Sequence, residues 1–240
     1  MSPIVAVATT SAERVQGLAT QPVLVFLAMA AISILPFVLL LMTSFVKIAI
    51  VLSILKSALG SSQIPPSQII TGLALILTLY VMAPTGERMF RAVEPELGHG
   101  SGAEIVSVQS LEALGIAAGK AKEPLRDFLL KHASARDRSV FYGLALRMRT
   151  SAERASITDR DFLVLAPAFL ASELRRAFEI GFLLFIPFLV VDLVVSNLLL
   201  ALGMNMVSPT TVSLPLKLLL FVLADGWQIL LRGLVESCSR

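Results

Sequence analysis

The chain has 240 residues, 56% of them hydrophobic and only 15% charged, with a formal net charge of +3. A soluble domain usually carries about a quarter charged residues, so this balance excludes an ordinary water-soluble globule and points to a membrane protein or a subunit buried in an assembly. The small net charge gives no footprint for nucleic acid, the single Cys238 excludes an internal disulfide, and His99 and His132 lack the clustered ligands that a metal site needs.

Residues 1–21 lack the basic start of a cleaved leader, so the apolar span that follows is expected to act as an uncleaved anchor. The first apolar block, Pro22 to Leu59, is too long for one span of about 20 residues. Pro36 is expected to bend or break it, and Gly60-Ser61-Ser62 ends it ahead of Pro65-Pro66. A second block, Gln68 to Ala83, is closed by Pro84 and is short for crossing lipid. Residues 85–161 hold 12 basic and 11 acidic residues. His99-Gly100-Ser101-Gly102 reads as a flexible tip there, and helical spacing appears over Leu111–Ala121 and Glu123–Arg149. A small, helical, water-exposed domain is expected.

The third block, Phe162 to Gly203, is again too long for one span, with Pro187 a kink or turn. A break at Leu202–Pro209 precedes the fourth block, Val212 to Val235, which carries Lys217 and Asp225. No strand alternation of useful length occurs, so the fold class is all-α. Four segments result: 1–21, 22–84, 85–161 and 162–240.

Ionisable residues within apolar segments are expensive and mark functional sites by default. Here they are Lys47, Lys56, Glu173, Arg175, Arg176, Glu179, Asp192, Lys217 and Asp225. Glu173, Arg175, Arg176 and Glu179 lie at helical i,i+3 and i,i+4 spacings and can neutralise one another. Alternatively they pair between subunits. Lys47, Asp192 and Lys217 have no opposite charge within a turn of their own segment, which favours an intersubunit role. For Lys217 the alternatives are an intersubunit bridge, for example to Glu173 or Glu179, or a lysine snorkelling to an interface. Trp227 either anchors at an interface or packs.

The motifs of the last third run from Pro167-Ala168-Phe169-Leu170-Ala171-Ser172-Glu173-Leu174 through Arg175-Arg176-Ala177-Phe178-Glu179-Ile180-Gly181. Pro187-Phe188-Leu189-Val190-Val191-Asp192-Leu193, Pro215-Leu216-Lys217 and Asp225-Gly226-Trp227 follow. Earlier come Thr43-Ser44-Phe45-Val46-Lys47, Leu59-Gly60, Gln63-Ile64-Pro65-Pro66 and Met82-Ala83-Pro84. Together these resemble the FliP/SctR family of type III secretion export-gate proteins, over residues 22–84 and 162–235. The polar middle is matched loosely, by placement and by Glu123-Pro124-Leu125-Arg126. Ser196-Asn197 and Val207-Ser208-Pro209 look more like the injectisome branch than the flagellar one.

The resemblance implies a multi-pass inner-membrane protein that is not an enzyme and carries no cofactor. It implies about five copies around a channel for unfolded exported proteins, joined by S/FliQ-like and T/FliR-like subunits. Contacts with the U/FlhB-like switch protein and the V/FlhA-like export subunit are also implied. The assembled helical hairpins form a cone raised above the membrane plane, where charges are tolerable because protein rather than lipid surrounds them. A methionine-rich loop constricts the channel in such proteins. It maps onto Met204, Asn205 and Met206, with Asn205 standing where many relatives have a third methionine. Lys47, Glu173, Arg176, Glu179, Asp192, Lys217 and Asp225 become candidates for intersubunit or buried charge.

Two rivals follow from the residues alone. A small-solute transporter also predicts apolar spans and buried charge, but it favours inverted repeats, and residues 22–84 and 162–235 show none. An intramembrane hydrolase could use Ser44 with Lys47 or Ser53 with Lys56, yet no oxyanion element accompanies either pair.

Overall fold

The computed structural model describes residues 22–60, 65–97, 108–154 and 156–239. Residues 1–21, Gln63-Ile64 and the His99–Gly102 tip lie outside the described residues. The described residues contain helices and no strand, so the fold is all-α.

Helix α1 spans Pro22–Leu41. The break in the first apolar block falls at residues 42–44, not at Pro36, which lies inside α1. Thr43 helps to set that break, because its Oγ1 accepts from the Phe45 N–H (3.3 Å) and draws that amide away from the helix ladder. Helix α2, Phe45–Ala58, follows. Its buried Ile48, Val51, Leu52, Leu55 and Ala58 recur at helical spacing and form one stripe. Gly60 stops it at φ +78°, a conformation glycine adopts without a Cβ penalty.

Helix α3, Ser67–Leu97, runs through Pro84 for 31 residues, so the expected boundary at 84/85 falls within one helix. A proline removes one ladder bond, and apolar and polar residues on either side share the remaining helix. Helix α4 is Val108–His132 and α5 is Ala135–Arg147. Ser134 separates them, with extended φ −66° and ψ 146°. Its Oγ accepts from the Asp137 N–H (3.1 Å), the N-cap bond that starts α5. A single turn, α6, spans Ser151–Arg154.

Helix α7, Phe162–Ala201, is 40 residues long and continuous through Pro167 and Pro187. Of the kink or turn expected at Pro187, the turn is therefore absent, and a kink within the continuous helix is what remains of that expectation. At 1.5 Å per residue the helix is about 60 Å long, roughly twice the hydrocarbon thickness of a bilayer. Helix α8, Pro209–Leu223, starts with proline in its first turn, where a missing N–H costs nothing. Asp225, at φ 49°, breaks the fourth apolar block, and α9, Gly226–Ser239, leaves at 65° to α8.

The chain divides into two compact units. One comprises residues 1–40 and 88–124, with α1, the end of α3 and most of α4. The other comprises residues 41–87 and 125–240. Within this second unit, α7 packs against α2, α5 and α8, and α8 packs against α9. Its core joins the α2 stripe to Ile70, Ala74, Ala177, Phe188, Phe221, Leu230, Leu234 and Cys238. Among the described residues, Ser67–Pro95 and Phe162–Ala201 are each long and apolar enough to cross a membrane, and the bent α8–α9 pair could form a third span.

Candidate functional site

Two buried lysines organise the second unit, and they use the same device. Lys47, on α2, is 1% exposed. Its Nζ lies 3.1 Å from Glu173 Oε2 on α7 and donates to the Ser237 carbonyl at the end of α9 (2.9 Å). Lys217, on α8, is 4% exposed. Its Nζ pairs with Asp192 Oδ2 on α7 (2.6 Å) and donates to the Ala58 carbonyl at the end of α2 (3.0 Å). Each ammonium therefore meets a carboxylate of α7 and a C-terminal carbonyl of another helix, where the macrodipole favours a cation. The second ends are satisfied too. Arg176 binds Glu173 Oε1 (3.0 Å), and the Ser213 hydroxyl donates to Asp192 Oδ1 (2.6 Å).

Lys217 accordingly neither snorkels nor reaches Glu173 or Glu179; its carboxylate is Asp192 of the same chain. Glu173 and Arg176 pair within one helix at the i,i+3 spacing. Arg175 turns instead to Asp137 Oδ1 on α5 (2.8 Å). Glu179 is left exposed, with no ion pair among the described residues. Asp225 is also exposed, and its place in the fold is the bend between α8 and α9. Neither carboxylate is a buried charge within this chain. Trp227 packs edge-on against Phe221 (5.2 Å between ring centres). Lys56 donates to the Ser67 hydroxyl (2.7 Å), and Ser44 Oγ points to Met82 Sδ (4.0 Å) rather than to a lysine.

Sequence reasoning missed Asp137. Hydrogen bonds from Ser172 Oγ (2.7 Å) and Ser134 Oγ (2.7 Å), with Arg175 beside it, hold this carboxyl below its ordinary range. The Ser134-x-x-Asp137 spacing, a capping-box pattern, was the available signal. His132 was also missed as part of the cluster. It is buried and packs on Phe128 (4.5 Å), which meets Phe169 of α7 (5.7 Å).

Burial first, then the positive charges of Lys47, Lys131 and Arg176, lower the His132 imidazole from 6.5 to about 4. The fold thus holds the ring neutral where the unfolded chain would protonate it. The resulting stability is complete above about pH 6.5 and disappears as pH falls towards 4, with a ceiling of about 3 kcal/mol. Asp137 acts lower, because a depressed carboxylate loses its contribution only as pH falls below its ordinary 3.8. Melting temperature measured from pH 7 to pH 4 should fall in the parent chain and fall less in His132→Leu. Parallel curves would remove His132 from this account.

The loop that joins α7 to α8 is built differently. Gly203 adopts φ +72°, and the Met204 N–H donates back to the Leu199 carbonyl (2.9 Å), a C-cap that turns the chain sharply. Val207 N–H closes onto the Met204 carbonyl (3.3 Å). Met204, Asn205 and Met206 are all exposed at this turn, Met206 completely. Apolar residues are exposed on both sides of it, Leu198, Leu200 and Leu202 before it and Val212 and Leu216 after it. Between α7 and α8 lies an apolar cavity of about 630 Å³, lined by residues such as Val191, Val195, Leu216 and Leu220. Among the described residues no group of three or more His, Cys, Asp or Glu side chains could hold a metal ion.

A family model described as the FliP family matches residues 28–234. The hypersensitivity response secretion protein HrcR of Ralstonia nicotianae is 42% identical over 86% of this chain and 93% of its own length. The Yop proteins translocation protein R of Yersinia pestis is 45% identical over 88% of this chain and 94% of its own. The flagellar biosynthetic protein FliP of Pectobacterium carotovorum is 40% identical over 93% of this chain and 86% of its own.

Proposed function

The chain belongs to the FliP family, and we propose that it forms, with further copies of itself, the channel through which a type III secretion export gate passes unfolded proteins. It is a component of a secretion apparatus, of the injectisome type, and an inner-membrane protein with long apolar helices. Its role is to build a conduit, without chemistry or cofactor of its own. About five copies assemble with S/FliQ-like and T/FliR-like subunits, next to the U/FlhB-like and V/FlhA-like proteins. The assembly stands above the membrane plane, so the apolar faces of α7 and α8 become protein interfaces. Exposed Glu179 and Asp225 then find cations on neighbouring subunits, because an exposed carboxylate entering an interface needs a partner.

The observation that carries this reading is the Met204–Met206 turn. Its methionines are exposed on a loop that two helix ends hold in place. Methionine is apolar and adaptable, so a ring of such loops would exclude water and ions yet yield to a polypeptide. Hydrophobic constrictions gate by dewetting.

Cells carrying Met204→Gly/Met206→Gly should leak ions while still exporting substrate. Each ~1.4 kcal/mol taken from the barrier raises the leak about tenfold. Conductance measured on the assembled complex checks this, and a leak no greater than that of the parent would exclude the loop as the constriction. Native mass spectrometry of the detergent-purified chain, made with and without its hydrophobic neighbours, tests the assembly itself. A ring that recruits the two smaller subunits supports the gate. A monomer or dimer that ignores them would revive the transporter reading.

A further inference from the structure

Among the described residues, nothing covers one face of helix α5. Val140 and Leu144 lie four residues apart, and Met148 follows four residues later. They are 51%, 43% and 86% exposed. Arg136 and Arg147 are exposed on the same side of the helix, since positions 136, 140, 144 and 147 fall within a narrow arc at 3.6 residues per turn. The other charges of α5 are engaged: Asp137 with Arg175 and Arg138 with Asp159 (3.4 Å). Arg136 and Arg147 have no ion pair among the described residues. The outer face is thus apolar and purely cationic, the pattern of a helix that lies in a membrane interface.

The position of α5 along α7 fits the same surface. From Phe182 to Leu198 the exposed side of α7 is mostly apolar, with Phe182, Leu183, Ile186, Leu189, Leu193 and Leu198 exposed. Those residues span about 24 Å, most of the roughly 30 Å thickness of the hydrocarbon core. Arg175, which holds α5 through Asp137, lies seven residues before that run, about 10 Å further along the helix. Headgroups extend about 5–7 Å beyond the core, so Arg175 lies a few ångströms outside them, a gap within the radius of a helix with its side chains, about 5–6 Å.

We propose that in the unassembled chain the outer face of α5 rests on the bilayer, with Val140, Leu144 and Met148 among anionic lipid headgroups that Arg136 and Arg147 bind. The contact belongs to the single chain in its membrane and stands apart from the channel reading, because assembly above the membrane plane would release it. The occupant is anionic lipid because both free charges on the face are positive and such lipids attract basic segments at the surface.

Cys238 is buried, so Met148→Cys offers one accessible thiol for an environment-sensitive fluorophore. The labelled chain is reconstituted alone into nanodiscs of phosphatidylcholine, with or without phosphatidylglycerol. Emission should shift to the blue only in the phosphatidylglycerol discs. The shift should vanish at about 1 M salt, where the Debye length is roughly 3 Å. It should be lost in Arg136→Gln/Arg147→Gln and kept in Arg136→Lys/Arg147→Lys, with helix content by circular dichroism unchanged in both. Emission indifferent to lipid charge overturns the proposal and leaves the face to an acidic protein. A shift that survives the glutamine pair overturns it as well.

Discussion

Glu173→Ala should destabilise the purified chain by about 3–5 kcal/mol, the usual cost of removing one partner from a buried ion pair. Lys47 and Glu173 are both almost wholly buried at 3.1 Å, so the ammonium would stay in the core facing only the Ser237 carbonyl. Arg176, the other partner of Glu173, is 38% exposed and can turn to water. The loss therefore comes from Lys47. Lys47→Met/Glu173→Leu should recover much of it, because well-packed apolar residues often match a buried pair in stability. Denaturant unfolding in detergent measures both. A near-neutral Glu173→Ala would mean that water or another anion reaches Lys47, contradicting the geometry.

Gly181→Val should cost about 1–3 kcal/mol through overpacking. Gly181 is buried on α7, and a Cβ there would collide with the Ile54 side chain of α2. Elsewhere in a helix interior, replacing glycine by alanine gains up to about 1 kcal/mol. Gly233 on α9 has open space around it, so Gly233→Ala should stabilise while even Gly181→Ala destabilises. Shortening Ile54 makes the room that position 181 needs, so Ile54→Ala should partly rescue Gly181→Val. The two changes are then less than additive. Thermal unfolding of Gly181→Val, Gly181→Ala, Gly233→Ala, Ile54→Ala and the Ile54→Ala/Gly181→Val pair decides the matter. If Gly181→Val matched the parent, α2 and α7 would not approach as closely as they do here.

The helical class and the apolar blocks were legible because composition and spacing carry them directly. The breaks were half legible: those at Gly60 and in Leu202–Pro209 were expected and are present, those at Thr43, Ser134 and Asp225 were not foreseen. Pro36, Pro84 and Pro187 all lie inside helices, since a proline removes one hydrogen bond and the rest of the ladder continues past it. The real breaks fall at Thr43, Gly60, Ser134, Gly203 and Asp225, where local side-chain bonds or positive φ end the ladder. The charged positions were visible, but their partners were not. Lys217 meets Asp192 from 25 residues away, and no local spacing encodes such a pair. The carbonyls of Ala58 and Ser237 are main-chain groups, which side-chain identity cannot announce.

The bond from Lys47 to the Ser237 carbonyl joins residues 190 apart in the chain. At about 5–20 residues per second, a ribosome needs roughly 10–40 s to travel from one to the other. Throughout that interval the lysine is already made and its helix-end acceptor is not. Lys131 waits likewise for the Ser239 carbonyl, 2.7 Å away in the finished fold. The second unit therefore closes only when synthesis reaches α9, and a chain released early keeps two ammonium groups without their carbonyls.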